Sequence, residues 1–163
     1  KPLIAAVEGY CLAGGFESML CCDLVVAARN AQFGLPEAKR GLAAAAGGLM
    51  RLPRLIPQRI AMEMVLTGDM MSAERLYPYG LFNAMVEPGQ ALEEAKRLAR
   101  RIIANAPMSV AASKRVIIEQ RDWPLSQMFD MQEPITGPIL ASQDAREGAA
   151  AFAERRAPVW KGQ

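Results

Sequence analysis

The sequence predicts an α/β fold whose strands lie in the first half of the chain and whose second half is helical. Two observations carry this. Short apolar runs of strand character, at residues 3–10, 23–28, 31–34 and 82–87, all precede Pro88-Gly89. After that breaker the apolar residues recur at helical spacing, beginning with Leu92, Ala95, Leu98, Ala99, Ile102 and Ile103. The chain therefore divides near residue 88 into 1–88 and 89–163.

The first strand, LIAAVEGY, is followed by Gly14-Gly15 and a helical run, so a strand ending at Tyr10 turns into a helix across the glycines. Pro36 suits the first position of a second helix, placing Glu37 in its first turn. A third helix spans 91–105 and stops before Pro107, which opens a fourth running to about Arg121. Asp144 followed by Glu147 has capping-box spacing and starts a last helix through Phe152. Met128, Phe129, Met131, Ile135, Ile139 and Leu140 give the late helices more apolar surface than so little chain can cover. They read as an oligomerisation or docking region.

Composition removes several classes of function. A formal net charge of +2 over 163 residues is too mild for a nucleic-acid footprint. No run approaches the ~20 apolar residues a membrane span needs, and the start lacks a secretory-signal pattern. The chain contains no histidine, which excludes Ser-His-Asp and Cys-His catalysis and His-ligated metal within it. Its three cysteines, Cys11, Cys21 and Cys22, lack CxxC spacing and read as small buried apolar side chains in a reducing, cytoplasmic setting. Acid-base chemistry falls to carboxylates, Lys, Tyr or Cys. An opening at Lys1-Pro2 that runs at once into a buried strand also reads as a fragment of a longer protein.

Residues 9–23, GYCLAGGFESMLCCD, are the most informative stretch. The first N–H groups of a helix lack internal partners and sit at the positive end of its dipole. Such an end can hold an anion or a developing oxyanion. Glu17 follows Gly14 by three residues and shares its face. Glu37 repeats the arrangement after Phe33, Leu35 and Pro36. Each glutamate alone is equally readable as a first-turn residue complementing the dipole. Two of them, each behind a strand, offer the paired carboxylates that proton transfers use, with Gly41, Gly47 and Gly48 keeping backbone close.

The order IAAVEGY-x-x-AGG-x-E, CDLVVAA, A-x-FG-x-PE, AGG-x-x-RLPR, AMEMVLTGD-x-x-SA and REG-x-x-AF-x-E-R-R resembles the crotonase (enoyl-CoA hydratase/isomerase) superfamily along essentially the whole chain. The resemblance implies a partial ββα spiral core followed by a helical trimerisation region, in trimers or hexamers. It also implies a front segment beyond this chain. Glu17 and Glu37 match the two glutamates of the hydratases, which add water across the C2=C3 bond of an enoyl-CoA. Gly14 matches an oxyanion-hole donor. Ala13, Gly15, Pro36 and Leu42 match substrate-lining positions. Phe152 and Arg155 match tail positions that in the family lie near the CoA nucleotide of a neighbouring subunit. No cofactor is implied, coenzyme A being part of the substrate. An isomerase, a related acyl-CoA dehydratase or a non-catalytic acyl-CoA binder shares the pattern. The stretch 43–46, Leu49 and Met50 depart from common relatives around the acyl pocket, as do residues 18–20.

Overall fold

A computed structural model describes all residues, 1–163. They form two compact units, Pro2–Ala99 and Arg100–Gln163, the latter joined by Lys1.

The first unit holds two small sheets. Strand β1 (Ile4–Val7) is followed by β2 (Tyr10–Leu12), helix α1 (Gly14–Met19), β3 (Leu24–Ala28) and β4 (Gln32–Gly34). A 3₁₀ turn, Pro36–Arg40, leads to helices α2 (Gly48–Leu55) and α3 (Gln58–Thr67). Next come β5 (Met71–Ser72), α4 (Ala73–Leu76), β6 (Ala84–Val86) and α5 (Ala91–Ile103). One sheet has the order β1-β3-β6, all parallel, with Ile4 opposite Leu24 and Val26 opposite Ala84. The other has the order β2-β4-β5, with β2 and β4 parallel and Leu12 opposite Gly34, and β5 antiparallel.

The apolar run at 3–10 is thus not one strand. It breaks at Glu8-Gly9, and its two halves enter different sheets. Gly9, at φ +65°, supplies a left-handed turn that a side chain would resist. Glu8 has its own task. Its carboxylate accepts from the N–H groups of Gly89, in the turn before α5, and of Ala91, a donor that the start of α5 leaves without an intrahelical partner. The element opened by Pro36 is likewise a single 3₁₀ turn rather than an α-helix, closed by Gly41 at φ +69°.

The larger of two apolar clusters holds Phe16, Phe33, Leu35, Leu52, Met64 and Leu76, all essentially fully buried, and a smaller one joins Val26 to Ala91 and Ala95 of α5. Phe33 stacks at 5.7 Å from Phe16 and 4.6 Å from Phe82, centroid to centroid. Each such side chain contributes about 1.5–3 kcal/mol by leaving water. These anchors fix α1 on the β2/β4 ladder. Of the cysteines, Cys11 is buried as expected, but Cys21 is exposed and Cys22 half-buried, because both follow α1 where the chain leaves the core. Burial, then the neighbouring Cys22, pushes the Cys11 thiol up to about 11, so it stays protonated and unreactive near neutrality.

The second unit contains α6 (Pro107–Glu119), α7 (Met128–Leu140) and α8 (Gln143–Glu154). The expected capping role of Asp144 is corrected. Ser142 caps α8, its hydroxyl accepting from Ala145 N–H at 3.0 Å. Asp144 lies buried in the first turn, where it accepts from the N–H groups of Lys161 and Gly162 at 2.7 and 2.9 Å. The tail is further held by Trp160, whose indole N–H donates to the Ala104 carbonyl at 2.8 Å. Apolar side chains stay exposed in this unit, Leu125, Phe129 and Leu140 among them. No helix is long and apolar enough to cross a membrane.

Candidate active site

Strands β2 and β4 run in the same direction and end together, because Ala13 N–H extends their ladder by donating to the Gly34 carbonyl at 2.9 Å. The elements that follow them therefore start side by side, at the carboxyl ends of parallel strands, where ligands of α/β proteins gather. Glu17 lies four residues past Ala13, and Glu37 three past Gly34.

Ala13 carries the turn from β2 into α1. Its backbone stands at φ 49°, ψ −129°, which an L-residue adopts only under constraint. The constraint is visible on both sides: its N–H is held by Gly34, and its carbonyl accepts from Glu17 N–H at 2.9 Å. Gly14 and Gly15, the first two residues of α1, are exposed, and their N–H groups have no intrahelical acceptor. A Cβ at either position would meet nothing within 4 Å, so packing inside this chain does not require glycine there.

Glu17 is buried on the inner face of α1, only 5% exposed. Its Oε1 accepts the backbone N–H of Gly48 at 2.9 Å. Gly48 is the first residue of α2, and a Cβ there would come within 2.9 Å of Leu35 Cδ1 and 3.1 Å of Glu17 Oε1. Leu35, two residues before Glu37, thus reaches the same backbone position that holds Glu17. Glu37 sits in the first turn of the 3₁₀ segment, half-buried. Its Oε2 is buried and has no hydrogen-bond partner within the chain. A buried carboxylate oxygen is costly without a donor, and a bound water or substrate hydroxyl would supply one.

The remaining expected positions fall in several places. Pro36 is half-buried at the first position of the 3₁₀ turn, and Leu42 is exposed just beyond it. Gly15 borders an open cleft of about 360 Å³ that Val7, Cys11, Met19 and Cys22 also line. Phe152 and Arg155 belong to the second compact unit. Phe152 is 87% exposed, and Arg155 ends α8 in the left-handed conformation with φ 55°. The two adjacent arginines differ. Both are exposed, but Arg156 is engaged bidentately by Glu147 at 2.6 and 2.9 Å and also pairs with Glu154, whereas Arg155 makes no such ion pair. No group of three or more His, Cys, Asp or Glu side chains could hold a metal ion.

Two features of the site were not read from the sequence. One is the Gly48 N–H bond to Glu17, the other the packing of Arg51 over Gly47, where a Cβ would land inside the guanidinium. The only local signal was Gly-Gly followed by an arginine one turn on.

The family model for enoyl-CoA hydratase/isomerase matches residues 1–163. The chain belongs to the enoyl-CoA hydratase/isomerase family. A carnitinyl-CoA dehydratase of Salmonella typhi is 43% identical over 167 residues, an alignment covering 100% of this chain and 64% of that protein. A crystal structure of an enoyl-CoA hydratase from Mycobacterium marinum superposes with a TM-score of 0.98 at 58% identity, covering 100% of this chain and 65% of that one. One from Mycobacterium tuberculosis H37Rv gives 0.98 at 57%, with the same coverage. This member of the enoyl-CoA hydratase/isomerase family thus has the crotonase fold, with a helical C-terminal region, and spans slightly under two thirds of the relatives it matches.

Proposed function

We propose that the protein containing this chain is an enoyl-CoA hydratase in which Glu17 and Glu37 activate one water. The observation that carries the reading is the unequal placement of the two carboxylates. Glu17 is buried and fixed by the Gly48 N–H, whereas Glu37 keeps a buried oxygen with no partner in the chain. One group is held in place, and the other has acceptor capacity for a reacting molecule.

In this reading the two glutamates hold the water against the C2=C3 bond of an enoyl thioester. The oxygen of the water bonds to C3, and the π electrons move onto the thioester oxygen as an enolate. The proton given up by the water passes through the carboxylates to C2, so that water is consumed and nothing else is gained or lost. The N–H of Gly14 donates to the enolate oxygen. Such a donor is worth about 3 kcal/mol in the transition state, since it acts where charge develops. Ala13, Gly15, Pro36 and Leu42 line the acyl thioester, and Phe152 with Arg155 serves the CoA nucleotide of a neighbouring subunit, where an exposed guanidinium suits phosphate. Coenzyme A arrives with the substrate, and no separate cofactor takes part.

A second reading is favoured by the 43% identity to a carnitinyl-CoA dehydratase. The same carboxylates run in reverse would eliminate water from a 3-hydroxyacyl thioester. An isomerase would use the same pair to move a proton between carbons. A non-catalytic acyl-CoA binder has no use for two desolvated carboxylates. The exposed apolar side chains of α7 and the turn before it support assembly with further copies of the chain; we propose a trimer or hexamer in the cytoplasm on the family resemblance alone.

The test is loss of the conjugated enoyl-thioester absorbance when the full-length protein meets a short-chain enoyl-CoA. Turnover in the parent with loss in Glu17→Gln and Glu37→Gln supports hydration. Thioester binding without turnover in the parent supports the binder.

A further inference from the structure

We infer that Arg51 is a positioning residue for Glu17, acting through the backbone of the turn at residues 46–48; the inference rests on the two-glutamate reading above. The Gly48 N–H that holds Glu17 belongs to the peptide between Gly47 and Gly48. The carbonyl of that same peptide, Gly47 O, accepts the backbone N–H of Arg51 at 2.9 Å and, at 3.2 Å, that of Met50. The preceding carbonyl, Ala46 O, accepts from Arg51 Nη1 at 3.1 Å. Arg51 therefore bonds both peptide planes flanking Gly47, and its side chain is the bond on the Ala46 side.

The hinge between those planes is a glycine at φ +115°, the most permissive kind of backbone position. Left alone, it would let the Gly48 N–H swing. The guanidinium of Arg51 lies directly against the Cα of Gly47, in the space a Cβ would take. A planar group with several fixed donors suits this clamp, since one N–H can bond a carbonyl while the plane covers the glycine. Arg51 sits one turn into α2, and Leu52 beside it is fully buried, so the helix that carries the clamp is anchored in the core.

The chain of contacts is then Arg51 side chain, Ala46 carbonyl, Gly47 hinge, Gly48 N–H and Glu17 Oε1. Arg51 does not touch Glu17 in this chain of contacts. It narrows the orientations of the one donor recorded on the Glu17 carboxylate. Misplacing a reacting group by about 1 Å costs on the order of 100-fold in rate, so a loosened donor has a measurable effect on turnover.

The experiment compares Arg51→Met, Arg51→Lys, Glu17→Gln and the double variant Arg51→Met/Glu17→Gln in the full-length protein, with hydration of a short-chain enoyl-CoA as the readout. Arg51→Met is expected to lower kcat about 10- to 100-fold with KM within about twofold. Arg51→Lys, which keeps a donor for Ala46, is expected to recover part of that loss. In the Glu17→Gln background, Arg51→Met is expected to change kcat less than about threefold, because the two substitutions remove one interaction. Parent-like kcat in a folded Arg51→Met protein, or losses that multiply in the double variant, overturns the inference. Should Arg51→Met not fold, the same cycle with Arg51→Lys decides it. Full activity in Glu17→Gln would instead bring down the two-glutamate reading, so the two failures are told apart.

Discussion

The backbone N–H of Gly48 donates to Oε1 of Glu17 at 2.9 Å, across 31 residues of sequence. This bond joins the first residue of α2 to the inner face of α1 and gives a buried carboxylate a donor. It also explains why glycine stands at 48 although its φ is ordinary: the Cβ side of the residue is taken by Leu35, Ala44 and the carboxylate itself.

Gly48→Ala is expected to push on all three neighbours, the Glu17 carboxylate among them. Overpacking of this kind costs about 1–3 kcal/mol, read as a lower Tm. The displaced carboxylate is expected to lower kcat on the order of 100-fold. Unchanged turnover in a folded Gly48→Ala protein would mean that the Glu17 position is not needed.

Gly14→Ala should behave oppositely. The added methyl meets nothing within 4 Å in this chain, and the position is helical. Stability is expected to stay within about 1 kcal/mol of the parent, while kcat/KM for an enoyl-CoA falls about tenfold or more as the thioester is kept from the backbone. Thermal melts beside steady-state kinetics separate the two effects.

Asp144→Ala tests the tail. The substitution leaves the N–H groups of Lys161 and Gly162 without their buried acceptor. Losing charge-assisted bonds of this kind costs roughly 2–3 kcal/mol. Hydrogen exchange is expected to rise at residues 157–163 before it rises in α6, and equal protection in parent and variant would contradict the assignment.

Acid should weaken the second unit through Glu147. Its carboxyl is lowered from 4.5 to about 2, first by the Arg156 side chain and then by the Val159 N–H. A folded value below the unfolded one gives stability that is complete above about 4.5 and fades as pH falls toward about 2. The pair is surface-exposed and screened by salt. Between pH 6 and pH 3 the Tm of Glu147→Gln is therefore expected to fall less than that of the parent at low ionic strength.

Local pattern reached some parts of this structure and not others, for identifiable reasons. Helix α5 was legible because Leu92, Ala95, Leu98 and Ile102 keep helical spacing between a breaker and Pro107. The β1/β2 break was not, because Glu8 and Gly9 sit within a short run of strand character and Glu8 acts through a partner more than 80 residues away, as its bond to Ala91 N–H shows. Helix α7 was hard to delimit because Pro134 and Pro138 lie within it, each removing a backbone donor and reading as a stop. The capping residue of α8 was misplaced by two positions, since Ser142 and Asp144 are both good caps and only the tail distinguishes them. Glu17 and Glu37 were singled out together by the family pattern as candidates. The bond from Gly48 was not, because a contact between distant segments leaves no local period.

The most direct measurement is the hydration rate of a short-chain enoyl-CoA by the full-length protein, with Glu17→Gln and Glu37→Gln measured beside it at matched folding. Each single variant is expected to lower kcat on the order of 100- to 10,000-fold, the range of positioned acid-base groups, with the double variant little slower than the worse single one. Full turnover in either single variant would contradict the account.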